Sequence, residues 1–237
     1  MAAYPEGREE RIQRAPVLDE RIARVVVRPV ASPMALGFLA LGISTFVLAG
    51  YELGWIAVSQ STAVAIVLIG VTGPLQAIAA VYGFLARDAV AATGMGVLSA
   101  TWTSTGVIML TQPPGSVSGG KGLLLCAAAV ALLVPTLTGI TAKAVAGFVM
   151  LTTGIRWTLT GSYQLSGVAW VQTAAGITGI VLAGLALYAA FAFELEDSRR
   201  RTILPTLRHR QGRRAMSGDL SDELADIRHE AGVRLEL

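Results

Sequence analysis

Ser32-Pro-Met-Ala-Leu-Gly-Phe-Leu-Ala-Leu-Gly42 marks the point where an arginine-rich leader gives way to the first long apolar segment. Proline is cheap in the first turn of a helix, because the N–H it lacks has no partner there. Ser32 is placed to cap that turn. Gly37 and Gly42 strip side chains from a helix that must approach something closely. A hydroxyl, a proline and two glycines make a poor lipid-facing surface and a plausible mouth for a pore or binding site.

Outward from this stretch the composition sets the class. The chain has 237 residues, 53% hydrophobic and 15% charged, and its mean hydropathy is +0.60. Soluble domains carry about 25% charged residues. From Ala35 to Phe193 the charged residues are Glu52, Arg87, Asp88, Lys121, Lys143 and Arg156; the remainder flank this block. This is an integral membrane protein, and its net charge of +3 reflects basic flanks rather than affinity for nucleic acid. Cys126 is the single cysteine, so no intramolecular disulfide forms. The leader has no early apolar run, which argues against a cleavable signal peptide.

Six apolar segments are expected to span the membrane as helices: 35–54, 62–86, 89–111, 121–140, 144–164 and 168–193. The clearest break between them is 112–120, with Pro113, Pro114 and three glycines. With both termini in the cytosol, 17 of the 19 Lys and Arg fall inside and Lys121 alone falls outside, with Arg156 within a span. Tyr51, Trp55, Tyr163 and Trp170 then sit near the outer interface. The expected fold is an all-α bundle of six transmembrane helices over 32–198. A basic leader of 1–31, which reads either as an interface-lying amphipathic stretch or as a tail, precedes it, and a basic tail of 199–237 follows. The arginines of the tail suit anionic lipid headgroups. From Ser217, Leu220, Leu224, Ile227 and Ala231 recur at helical spacing behind a cap at Ser221, a short amphipathic helix suited to docking on a neighbouring tail or subunit.

The block shows no catalytic site, no cofactor motif and no metal-ligand spacing; His209 and His229 both lie in the tail. What it offers is small and hydroxylated residues. The third segment carries six hydroxyls between Thr93 and Thr105, which suits a helix with one face on a solvated path. In the sixth, Ala175, Gly179 and Ala183 form a stripe suited to close helix packing. Gln76, mid-span beside Gly73 and Pro74, either bonds another helix or lines a pore. Thr45 is counted with the path residues. Arg156 is the one full charge well inside a span, about 20 Å along the helix from Lys143. It either snorkels outward or pairs with Glu52, or else draws an anionic solute to an outer vestibule. No Asp, Glu or His lies mid-span, so a coupled proton would travel on the substrate or along water.

Ser32-Pro-Met-Ala-Leu-Gly-Phe38 is similar to the Asn-Pro-Ala-Pro-Leu-Gly-Leu motif of the acetate uptake transporter family, which includes the bacterial succinate–acetate permeases. Pro33, Leu36 and Gly37 match outright. Gly73, Gln76, Thr93 and Trp102 follow in register, and Tyr188 with Arg201-Thr-Ile-Leu-Pro205 resembles the family's Tyr…Arg-Thr-Val-Leu-Pro. The resemblance covers 32–205. It implies a six-helix protomer with its own solute path, cytosolic termini, a hexameric cell-membrane assembly, and movement of acetate, in some members succinate, by a channel-like or proton-coupled route. On this reading Ser32, Pro33, Leu36, Gly37, Thr45, Gln76 and Thr93 form the entrance and path. The family's Phe, Tyr and Leu constriction falls on Leu41, Leu98 and either Thr152 or Thr153, an apolar gate wider than one built with two aromatics. Ser32 and Ala35 depart from the motif's Asn and second Pro, and Arg156 stands where the family has an apolar residue. Two other functions fit the residues themselves: a pore for a neutral solute such as urea or ammonia, and a membrane anchor or regulator acting through its tail.

Overall fold

The computed structural model describes residues 30–199 and 201–208. The expected amphipathic leader stretch, most of the basic tail and the helix from Ser217 lie outside them. Among the described residues the chain is all-α, with one isolated bridge between Lys143 and Arg208.

Helix α1 is Met34–Glu52. A 3-10 turn at Val58–Gln60 leads into α2, Ser61–Val67, which passes through a π turn, Leu68–Thr72, into α3, Gly73–Leu85. Then come α4, Ala89–Thr111, α5, Gly119–Ala131, α6, Leu133–Ile140, α7, Ala144–Ser166, and α8, Ala169–Arg199. Two expected spans are therefore interrupted, each next to a proline. Pro74 has no N–H for the carbonyl four residues back, and the ladder reroutes so that the Gly73 N–H donates to Leu68 O, the five-residue step of a π turn. Pro135 likewise cannot donate to the Ala131 carbonyl, and α5 breaks from α6 at Leu132.

The start of α1 corrects the expected capping. Pro33 occupies the cap position itself rather than the first turn, and its carbonyl accepts from Gly37 N at 3.1 Å. Ser32 Oγ stands 3.5 Å from Met34 N, at the limit of a hydrogen bond. The last helix is longer than its apolar run, continuing six residues past Phe193 to Arg199. Those residues include Glu196, which is buried and paired with Arg208, so an ion pair rather than hydropathy carries the helix on.

Among the described residues, four helical stretches are long and apolar enough to cross a membrane: Met34–Glu52, Val58–Leu85, Gly119–Ile140 and Ala169–Arg199. Helices α4 and α7, at 23 residues each, are long enough as well but richer in hydroxyls. The surface is inverted relative to a soluble protein. Phe46, Ile66, Val130, Leu137, Val181 and Phe191 are all more than half exposed, while Ser44, Thr45, Gln76, Thr153 and Arg156 have no exposure at all. An apolar exterior around a polar-studded interior is what a lipid solvent selects.

Helix α1 lies along α8, α3 along α4, and α7 along both α5 and α8. Small residues set these approaches. A side chain at Gly37 would collide with Met95 Sδ at 2.5 Å, and one at Gly42 would press on Leu187 at 3.1 Å. The expected stripe Ala175, Gly179 and Ala183 is buried against α1. Between α5 and α7 the contact is backbone to backbone: a Cβ at Gly161 would lie 2.9 Å from Gly122 O and 2.7 Å from Cys126 Sγ. Gly161→Val therefore forces the two helices apart, at a cost of about 1–3 kcal/mol. Gly184 has nothing within 4 Å of its missing Cβ, and Gly184→Ala gains helix propensity without a clash. Thermal unfolding in detergent is expected to show a lowered midpoint for the first and an unchanged or raised midpoint for the second. Equal midpoints would refute this packing.

Candidate functional site

The interior is layered along α1, and each layer is set by a register on a neighbouring helix. At the N-terminal end of α1, Asp88 caps α4 by accepting from Ala91 N at 3.1 Å and pairs with Lys143. Lys143 also touches Met34 Sδ at 3.6 Å. Arg208 binds Glu196 at 2.6 Å and lies over the Phe193 ring, while the Tyr188 hydroxyl donates to Pro205 O at 3.0 Å. The segment after α8 is thus folded back onto this end of the bundle. Met34, Arg87, Asp88, Lys143 and Arg208 share the wall of a cavity of about 440 Å³.

One turn inward, Gln76 Nε2 donates to Gly37 O at 3.3 Å. Gln76 is fully buried and its Oε1 has no partner among the described residues. Of its two expected roles, the bond to another helix is present. The next layer holds Thr72, whose hydroxyl bonds Ala40 O at 2.9 Å and Ser44 Oγ. Leu41 and Leu98 are fully buried. Because Gly37 meets Met95, the helices place Leu41 and Leu98 at matching height, each about one turn further along α1 and α4.

Other predicted residues fall elsewhere. Ser32, Leu36 and Thr93 are exposed. Thr152 is half-buried and bonds its own helix at Phe148 O; Thr153 is fully buried and bonds Val149 O at 2.7 Å. The hydroxyls of α4 divide between tasks. Ser99 donates to Gly73 O at 2.7 Å and Thr103 packs on Gly73, so these two join α4 to α3 rather than facing a solvated path. Thr105 instead lines a second cavity.

That cavity, about 180 Å³, lies at the C-terminal end of α1. Tyr51, Glu52, Thr105, Lys121, Thr160 and Tyr163 line it, under the turn-rich loop of Gln112, Pro113 and Gly115. Ser118 ties the loop down: it caps α5 through Lys121 N at 3.3 Å and its own N–H donates to Gln164 Oε1 at 2.9 Å. Trp55 and Trp170, expected beside Tyr51 and Tyr163, are 59% and 69% exposed.

Glu52 is where this cavity meets the protein interior. Its Oε2 accepts from Arg156 Nη2 at 2.8 Å and its Oε1 from the Thr160 hydroxyl at 3.0 Å. Arg156 has no exposure, and its Nε and Nη1 have no partner among the described residues. The guanidinium lies 5.8 Å from the Trp102 ring centroid, and Trp102 meets Trp157 edge-on at 6.0 Å. Gly179 makes the room: a Cβ there would sit 2.6 Å from Arg156 Nε. Pairing with Glu52 was one of the sequence's expectations for Arg156. Thr160 and Trp157 were not singled out, although Thr153, Arg156, Trp157, Thr160 and Gln164 follow helical spacing and form one buried stripe.

A comparison with curated proteins gives no match. The solved structure of the bacterial acetate channel SatP superposes with a TM-score of 0.67 at 21% identity, over 74% of this chain and 98% of that one, which shows a shared fold. Residues 16–208 match the GPR1/FUN34/yaaH family, and over that length the chain belongs to it.

Proposed function

We propose that the chain is a membrane channel or transporter for small monocarboxylates, acetate first among them. The observation that carries this reading is the family membership together with a fold shared with an acetate channel over nearly the whole of that protein. On this reading the helices form six membrane-crossing rods with both termini in the cytosol, which the distribution of Lys and Arg supports. The cavity at Asp88 and Lys143 is the cytosolic mouth and the cavity at Glu52 and Lys121 the outer one. Between them Gly37, Gln76, Leu41 and Leu98 shape the path, the two leucines as its apolar waist. Each protomer of a hexamer carries its own path, and the protein acts by transport rather than catalysis.

Proteoliposomes holding the purified protein should take up labelled acetate well above empty vesicles, and should swell no faster in urea than empty vesicles do. Acetate uptake equal to that of empty vesicles would end this reading; urea flux without acetate flux would replace it with a neutral-solute pore.

A further inference from the structure

We propose that the niche between Arg156 and Thr160 is a carboxylate-binding site, occupied in the empty protein by Glu52 and taken over by the substrate during transport. The inference rests on the proposed function and goes beyond it by naming a binding site and an exchange step.

The argument starts from what Glu52 presents. The end of its side chain is a methylene and a carboxylate, chemically an acetate group. It is held as a free carboxylate would be, with one oxygen 2.8 Å from a guanidinium nitrogen and the other 3.0 Å from a hydroxyl. The niche is therefore built for this ligand chemistry. It adjoins the cavity that Thr105, Lys121 and Thr160 also line, so a solute arriving there meets it. Arg156 uses only Nη2 on Glu52; Nε and Nη1 are buried without partners among the described residues, and Thr105 Oγ1 is likewise unpartnered. Guanidinium has five donors in a fork that suits carboxylates, so donor capacity is left over at the site.

Charge decides how exchange proceeds. A buried ion stripped of its partner is strongly unfavourable, so Glu52 cannot leave Arg156 as a carboxylate without a replacement. An incoming acid supplies both parts. The protonated acid gives its O–H proton to a Glu52 carboxylate oxygen, the Nη2–Oε2 ion pair opens, and the new carboxylate takes Arg156. One O–H bond breaks and one forms, no electrons are exchanged with another reagent, and the site's net charge does not change. Reversal releases the acid again. The titratable groups facing Glu52 are Arg156 on α7 and, around the cavity wall, Tyr51 on α1, Lys121 on α5 and Tyr163 on α7; α8 contributes only Gln172 among the described residues. Lys121 is the cation that lines the cavity itself, whereas Arg156 lies behind Glu52.

The test uses the fluorescence of Trp102 and Trp157, which adjoin Arg156, in a background where the exposed Trp55 and Trp170 are Phe. Full-length protein in detergent is titrated with sodium acetate at pH 5 and pH 8, with sodium chloride as control. The parent should bind acetate more tightly at pH 5. Glu52→Gln removes the internal competitor while keeping its shape, and should bind acetate at least tenfold more tightly at pH 8, with chloride far weaker. Glu52→Gln with Arg156→Gln keeps the site neutral and should lose the gain. An unchanged affinity in Glu52→Gln, or a gain that survives in the double variant, overturns the site. Uptake separates this from the broader reading: acetate flux with no tightening in Glu52→Gln defeats the exchange alone, whereas tightening in Glu52→Gln without flux in the parent defeats the transport reading and leaves only the carboxylate site standing.

Discussion

Arg156→Met destabilises the protein by about 3–5 kcal/mol, the cost of leaving one partner of a buried ion pair uncompensated. The side chain it removes is fully buried, and Glu52, at 8% exposure, is left facing a methionine. Methionine keeps the unbranched aliphatic stem but loses the guanidinium that lies over the Trp102 ring, so the loss combines the stranded charge with that contact, and a double variant separates them. The pair as a whole is a different matter. Desolvating both ions costs about what their attraction returns, and apolar replacement of both partners is often neutral or stabilising. Glu52→Leu combined with Arg156→Met should therefore recover most of the stability lost in Arg156→Met. Gly179 gives a second handle. Gly179→Ala places a methyl 2.6 Å from Arg156 Nε and 2.8 Å from Ala49 Cβ, and part of its cost should vanish when Arg156 is already methionine. Thermal and denaturant unfolding in detergent measure all four variants. Wild-type stability in Arg156→Met would mean that the guanidinium is not held in the dry interior described here.

The fold was legible where lipid dictates the chemistry. Apolar runs, the Pro-Pro-Gly loop at 113–115 and the placement of Lys and Arg give the helices and their breaks, because the bilayer demands both length and charge asymmetry. Two features escaped. The interruptions at Pro74 and Pro135 leave hydropathy untouched, since proline disturbs the hydrogen-bond ladder and not the apolar run. The extra turns of α8 depend on the Glu196–Arg208 pair, a contact between residues whose spacing carries no helical signal. At the site, the pairing of Arg156 with Glu52 was within reach because few charges lie inside the block and each needs a partner. Thr93 shows the opposite case. Its hydroxyl looks like its neighbours in sequence, and only the rotation of α4 tells that it is exposed while Thr105 is buried on a cavity.

Leu98→Tyr should cut acetate uptake about tenfold and suppress a larger acid such as succinate further still. Leu98 has no exposure and stands at the height of Leu41, in the apolar layer between the two cavities. A phenol ring there fills the space through which the proposed path runs, and a difference of one or two heavy groups in an apolar constriction discriminates by about 1–3 kcal/mol. The opposite substitution separates narrowing from general damage. Leu98→Ala empties the same volume, costs about 2–5 kcal/mol of stability, and should nevertheless raise the ratio of succinate to acetate uptake. Damage to the fold lowers both rates together, so a ratio that moves in opposite directions in the two variants can come only from the width of the path. If the ratio stays constant in both, Leu98 packs the core beside the path and the waist lies at another layer.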